Sequence, residues 1–479
     1  MQSISYRLNW ESLLSPRRLR KSESKQTGDY RNEFEKDYHR IVTSASFRRL
    51  QDKTQVFPLD QSDFVRTRLT HSIEVSSLAK SLGQMVSQEI YFRRLDPALT
   101  QRLVYEMSDL LLCAGLIHDI GNPPYGHYGE TTIRDWFVRR LPQLMYLGQP
   151  LDQLLTDQMK ADLFNFEGNA QALRLLTKLH FLKDDYGMNL TIPLLNTIMK
   201  YPVSSLDVKP DHENVQFHKM GYFLAESDIF ASIVDVTGTE NCRHPLTFLL
   251  EAADDIAYRT ADLEDAYKKG RFTYDQFRHT LLTTPRLADA DHVKRENYRI
   301  YCNVLDQKLE EAYERKVNKP ELFALQNWVI YVQGLMLQTA ATSFCDHYNE
   351  IMNGVYGKEL LVDTQAELLL NVLGDIAVSF VFTSKQIISL EIAANNILGG
   401  LLDMFIPACI EWDTSRPQSS IEPRLMAIIS DNYRSNYYRR SEGKDEIEKL
   451  YLRLLLVTDY ICGMTDSFAK KMYRNMNGL

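Results

Sequence analysis

Several things are scarce in this chain, and each scarcity removes a class of protein. The six cysteines, Cys113, Cys242, Cys302, Cys345, Cys409 and Cys462, are far apart and form no C-x-x-C pair, so there is no disulfide framework to read. No apolar signal-like segment precedes them, and the expectation is a reduced, cytoplasmic protein. Uninterrupted apolar runs are short. "LLLCAGLI" at 110–117 and "LRLLLV" at 452–457 fall well below the ~20 residues of a membrane helix, which predicts a soluble chain. Charge excess is small: a net charge of −8 and a pI near 5.8 give no global reason to expect a nucleic-acid or membrane surface, so a polyanionic substrate would need its own basic site. Internal repeats, low-complexity tracts and strand-like alternation between tight turns are also missing.

What remains is helical periodicity over most of 479 residues, of which 44% are hydrophobic and 25% charged, enough to bury a large core in one large unit or two to three smaller domains. Residues 72–92 ("SIEVSSLAKSLGQMVSQEIYF"), 101–118 and 248–269 read as amphipathic helices, the last ending at Gly270. The fold class is all-α. Residues 203–218 read as a connecting loop, and "ELLLNVLGDIAVSFVF" at 367–382 reads as buried packing. The first forty residues are polar and include "SPRRLRKSESK" at 15–25; a solvated tail is the plain reading, a nucleic-acid or partner-binding arm the sharper one.

Chemistry concentrates at 114–130, "AGLIHDIGNPPYGHYGE". Gly121, Pro123 and Pro124 account for the break in the helix, but not for His118, Asp119, His127 and Glu130 gathering there. A divalent metal needs convergent nitrogen and oxygen donors, and His71, the His118–Asp119 pair and Asp254 in "EAADDIAY" are the candidates. Each alone is an ordinary core or surface residue. Their order, with whole helices between, is the stronger signal.

That order, "RLTHSIEV", then "GLIHDIGNPPYGHYGE", then "EAADD", resembles the HD-domain superfamily of metal-dependent phosphohydrolases. More narrowly, the chain resembles the bacterial deoxyguanosinetriphosphate triphosphohydrolase family, through "NWESLLSPRRLR" at 9–20, "SFRRLQDKTQVFPL" at 46–59, "FEGNAQALRLL" at 166–176 and "DYICGMTDSFA" at 459–469. The resemblance implies an HD-domain helical bundle over residues 41–280, preceded by an N-terminal arm at 1–40 and followed by a helical region at 281–479 that packs on it and takes part in oligomer contacts. It implies a dGTP-preferring dNTPase that releases intact triphosphate. His71, His118, Asp119 and Asp254 carry over as metal ligands, with Mn²⁺ or Mg²⁺ as the ion.

By the same resemblance His127 and Glu130 form a catalytic pair, the histidine either aiming water or protonating the leaving 5′ oxygen; the alternative is a turn-capping histidine. Glu167 is a third catalytic candidate and Asn169 a substrate contact, although a glutamate at a helix start is also an ordinary capping choice. Arg68 and Lys200 match phosphate-contacting positions, with Arg66 a weaker candidate. Tyr258 and Asp262, four and eight residues beyond Asp254, lie on nearly the same helix face; the resemblance puts the tyrosine on the deoxyribose and Asp262 with Gln55 on the 3′-hydroxyl, and a structural Tyr–Asp pair is the competing reading. It further implies a homo-oligomer, often a hexamer, and in some relatives single-stranded DNA binding. The other functions weighed are a broad dNTPase, another HD phosphohydrolase or nuclease, and a regulator that binds nucleotide without turnover.

Overall fold

The computed structural model describes residues 6–20, 28–57, 62, 64–180, 184–383 and 385–478. Among them 68% are helical, and the strands are a two-residue hairpin, Met145–Tyr146 against Gln149–Pro150. The helices used below are α1 (Trp10–Leu13), α2 (Glu33–Val42), α3 (Arg68–Arg93), α4 (Gln101–Ile117), α5 (His127–Arg140), α6 (Gly168–Arg174), α7 (Pro245–Lys268), α8 (Pro320–Asp346), α9 (Lys385–Ile410), α10 (Glu446–Cys462) and α11 (Asp466–Met476).

Helix α3 buries Arg68, His71, Ser72, Val75, Ser76, Ala79, Leu82, Gly83 and Val86, a stripe at helical spacing made largely of small residues. Small residues let a partner backbone approach closely. A Cβ on Gly115 of α4 would lie 2.4 Å from the Cα of Ser76, and the Ser76 hydroxyl donates to Leu112 O at 2.7 Å. Helix α7, buried along most of its length, packs across this pair with α8 behind it. It ends where expected: Gly270 takes φ +66° and its N–H bonds back to Tyr267 O.

Two apolar cores result. The first gathers α1, α2, α3, α4, α7 and α8; the second gathers α5, α9, α10 and α11. The loop after α4 crosses between them, with Ile120 in the first and Tyr125 in the second. Residues up to Ile387 join the first core, while the rest of α9, α10 and α11 share the second with α5.

The described part of the N-terminal segment is not a solvated tail. Trp10 and Leu13 are fully buried, and the indole donates to Tyr348 Oη at 2.7 Å. Arg18 pairs with Glu33 (2.9 Å) and Asp37 (2.5 Å), and Arg20 with Asp184 (2.5 Å), so these two cations of the basic run are neutralised within the fold, while Arg17 is exposed. Residues 21–25 of that run lie outside the described residues.

One helix departs from the expectation of short apolar runs. Residues 387–410 of α9 form a 24-residue stretch with mean hydropathy 1.4, long and apolar enough to cross a membrane. Glu391, Asn395, Asn396 and Asp403 interrupt the run in sequence. In space Leu398, Leu401, Leu402 and Phe405 are buried in the second core, while Asp403 accepts from the Trp136 indole at 3.0 Å. The apolar face carrying these four residues is an interior one, whereas Ile388 and Ile392 near the helix start are exposed.

Candidate metal centre and catalytic cleft

Three helix positions converge at the first core's edge. Thr67 caps α3 in a reciprocal bond with Thr70, and the Arg68 N–H donates to Lys53 O at 3.0 Å, which fixes the helix start and sets His71 on its buried face. At the end of α4, His118 Nδ1 bonds Gly115 O at 2.8 Å. A carbonyl only accepts, so Nδ1 carries a proton and Nε2 is the nitrogen that can turn a lone pair to a metal once its own proton has left. That Nε2 is buried with no hydrogen-bond partner, 3.5 Å from Asp254 Oδ1 and 3.7 Å from Asp119 Oδ2. His71 Nε2 lies 3.0 Å from the same Asp254 oxygen.

His71, His118 and Asp254 offer donor atoms within 4.8 Å of one another. Asp119 stands at the edge of this group, one oxygen bonded to the Arg68 guanidinium and the other accepting from Asn122 Nδ2 at 2.8 Å. A buried imidazole nitrogen with no hydrogen-bond partner, facing two carboxylates, fits a divalent cation that would take the place of its proton, and mixed N/O donors suit a hydrolytic ion.

The electrostatics show how much positive charge these carboxylates call for. Burial opposes protonation of His118, yet Asp119 and Asp254 outweigh it and raise the imidazole to about 9. Burial likewise opposes ionisation of Asp119, which Arg68 and His118 reverse, holding it below the usual carboxylate range. Asp254 behaves in the same way, held well down by His118, His71 and Lys200.

A second group lies beyond Arg68. Gly126 takes φ +61°, and a Cβ there would meet the Arg68 guanidinium at 2.3 Å, so the glycine lets that cation lie against the backbone. His127 follows, 76% exposed at the side chain, with Nδ1 2.9 Å from Oε2 of the buried Glu130. The other Glu130 oxygen accepts from Gly168 N at 2.8 Å. Burial would raise this carboxyl, but His127 and the Gly168 N–H hold it at about 2. Glu130 in turn raises His127. Glu167, also buried, accepts from Asn169 Nδ2 at 3.0 Å and lies 3.1 Å from Lys219 Nζ; burial and Glu130 push its carboxyl up.

Lys200 reaches the metal group from the other side, 2.8 Å from Glu251 and 3.6 Å from Asp254. Tyr258 is half-buried one turn beyond Asp254. Asp262 is 4% exposed, and burial pushes its carboxyl well up. Gln55 has a buried side-chain oxygen with no hydrogen-bond partner.

Arg66 does not join them. Its guanidinium bonds Glu74 (2.9 Å), Glu264 (2.9 Å) and Asp265 (2.5 Å) and fastens α3 to α7. Lys219, Glu251 and Arg134, the last 3.9 Å from Glu167 and 4.0 Å from Glu130, carry no signal in the sequence. Lys219 sits in "HKMGYF", with no spacing that ties it to Glu167; only the fold brings the two together.

Comparison with known proteins agrees with this geometry. An HD-domain profile matches residues 68–180, a span that holds α3, α4, α5 and α6, and the HD domain implies a divalent metal. The chain is 46% identical to the deoxyguanosinetriphosphate triphosphohydrolase-like protein of Listeria innocua, over 98% of this chain and 100% of the relative. It is 32% identical to the protein of the same name in Synechocystis sp., over 98% and 100%. It is also 32% identical to the deoxyguanosinetriphosphate triphosphohydrolase of Serratia proteamaculans, over 95% of each chain. Likeness of this extent, over nearly the whole of both chains, makes the chain a member of the deoxyguanosinetriphosphate triphosphohydrolase family of HD-domain proteins.

Proposed function

We propose that this protein hydrolyses deoxynucleoside triphosphates, dGTP foremost, to the deoxynucleoside and inorganic triphosphate in the cytoplasm. One observation carries the reading. Buried Arg68 touches Asp119 of the metal group and lies against the backbone beside His127, so one cation links an N/O metal cluster to an imidazole–carboxylate pair. A nucleotide binder without turnover has no use for the second half.

His71, His118, Asp119 and Asp254 would hold the ion, Mn²⁺ or Mg²⁺, which when bound supplies Lewis-acid charge to a phosphate oxygen. Arg68, Lys200, Lys219 and Arg134 are the cations available to the remaining phosphate oxygens. Water adds to the α-phosphorus and the bond to the 5′ oxygen breaks, so one proton leaves the water and one reaches the departing oxygen. His127 has its Nδ1 committed to Glu130, which leaves Nε2 as the atom that accepts or delivers a proton. Tyr258 packs on the deoxyribose where a 2′-hydroxyl would crowd it, Gln55 and Asp262 address the 3′-hydroxyl, and Glu167 with Asn169 orients water or substrate.

Assembly as a homo-oligomer belongs to the same reading. It is supported by the exposed Val378, Phe382, Ile388 and Ile392 (40–56%), an apolar stretch that a solvated surface rarely carries; light scattering of the purified chain tests it. The reaction is tested by incubating the Mn²⁺-supplemented protein with each dNTP and with GTP, followed by phosphorus NMR and nucleoside chromatography. Triphosphate with deoxyguanosine, fastest from dGTP and absent from GTP, is expected. Release of phosphate or pyrophosphate instead would replace this reaction by another hydrolysis.

A further inference from the structure

Behind the cleft, three distant parts of the chain meet at a buried junction. Lys53, 4% exposed, donates through Nζ to Asn122 O at 2.5 Å and to Cys462 O at 2.8 Å. Asp466, 2% exposed at the first position of α11, closes the junction with the opposite charge. Its Oδ1 accepts from Tyr125 N at 2.9 Å, its Oδ2 from Thr54 N at 2.9 Å and from the Thr54 hydroxyl, and its backbone carbonyl from Tyr125 Oη at 3.0 Å.

Each arm of this junction runs straight into the site. Lys53 and Thr54 precede Gln55 and pair with the start of α3, through Lys53 O to Arg68 N at 3.0 Å and a bridge between Thr54 and Thr67. Asn122 holds Asp119. Tyr125 precedes Gly126 and His127, and the pair takes successive left-handed conformations, φ +64° and +61°. A tyrosine adopts that conformation only where its surroundings impose it. Here the imposing group is Asp466, bonded to both the N–H and the hydroxyl of Tyr125.

We propose that Asp466 is a positioning residue: by clamping Tyr125 it sets where His127 stands relative to Arg68, so that turnover depends on the last helix of the chain. This rests on the function proposed above, since it concerns the rate of that reaction. None of the Asp466 hydrogen bonds goes to a metal-ligand, phosphate or sugar candidate.

Asp466→Asn keeps the shape and removes the acceptor pair. Donors face both carboxylate oxygens, so the amide NH₂ meets an N–H whichever way it turns. The test is a cycle of full-length wild type, Asp466→Asn, His127→Ala and the double variant, with kcat, KM, metal content and melting temperature measured on Mn²⁺-loaded protein. Asp466→Asn is expected to lose about 10²-fold in kcat, the scale of a misplaced catalytic group, with bound metal retained and KM moved less than about threefold. In the His127→Ala background the same change should cost nothing more, because there is no imidazole left to position. Should Asp466→Asn fail to fold, Thr54→Val removes the hydroxyl bond alone and should show a smaller loss with the same non-additivity. A wild-type kcat in Asp466→Asn, or an equal loss in both backgrounds, overturns the proposal. Wild-type activity is measured first: its absence overturns the proposed function, whereas an active wild type with an unaffected Asp466→Asn overturns this inference alone.

Discussion

Glu130→Gln separates the charge of a buried carboxylate from its shape. Glu130 divides its oxygens between His127 Nδ1 at 2.9 Å and Gly168 N at 2.8 Å. A backbone N–H only donates, so the glutamine carbonyl must stay on Gly168 and its NH₂ must turn to His127. Nδ1 then has to accept, which moves the imidazole proton to Nε2, the atom that should exchange protons with the substrate. Losing a charge-assisted hydrogen bond is worth about 1.5–3 kcal/mol, or roughly 10–150-fold in kcat/KM at ~1.4 kcal/mol per decade. The pH profile adds a sign. Glu130 raises His127, so in the variant the His127 limb of kcat/KM should move to lower pH, whether the imidazole works as acid or as base. Stability follows the carboxylate: its folded value is depressed from 4.5 to about 2, so its contribution is full above the ordinary carboxylate range and is lost as pH falls towards 2. Chromatographic assay of released nucleoside from pH 5.5 to 9, with melting curves at pH 7 and pH 3, measures all three effects. A kcat/KM within about threefold of wild type together with an unmoved limb would refute the reasoning.

Asp254→Ala removes the carboxylate that lies against both imidazoles and should abolish metal retention with the helical circular dichroism intact; metal still bound by mass spectrometry would remove Asp254 from the centre. Because Asp119 and Asp254 hold His118 protonated up to about 9 in the metal-free protein, loading a divalent ion at pH 7.5 should release about one proton. Calorimetry in buffers of different ionisation enthalpy reads that proton, and identical heats would contradict it. Gly126→Ala forces a left-handed backbone on alanine, costing about 1–3 kcal/mol by denaturant titration, and displaces Arg68, so KM for dNTP should rise; an unchanged KM would place Arg68 outside the phosphate site. Arg66→Met leaves Glu74 and Asp265 without their guanidinium, while Glu264 keeps Lys268 at 2.6 Å, and should cost about 3 kcal/mol of stability, the low end for a buried pair, with KM unchanged; a large rise in KM would support the phosphate role.

Periodicity and motif order carried much of this protein. Small and apolar residues at helical spacing in α3, α4 and α7 determine that these segments are helices, because the period is written in the residues themselves. The His118–Asp119 pair at the end of an apolar helix marks the candidate centre for a similar reason: the chemistry sits in one stretch. Arg66 and Arg68 show where such reading stops. Two residues apart near the same helix start, they are nearly equivalent in sequence, but one is closed in by three carboxylates and the other lies against Gly126, and the difference depends on α7 and on a loop about sixty residues away.

The same limit explains the N-terminal segment. Its polarity reads as solvation until Glu33, Asp37 and Asp184 arrive to pair with Arg18 and Arg20. The Lys53–Asp466 junction and the Lys219–Glu167 pair were likewise beyond the sequence. The sequence by itself determined an all-α chain, its principal helices and the residues able to bind a metal, since these follow from local periodicity and side-chain chemistry. Only the tertiary structure decided which cations stay available, which carboxylates are held ionised and what constrains the loop before His127, since each depends on burial and on partners separated by up to about four hundred residues.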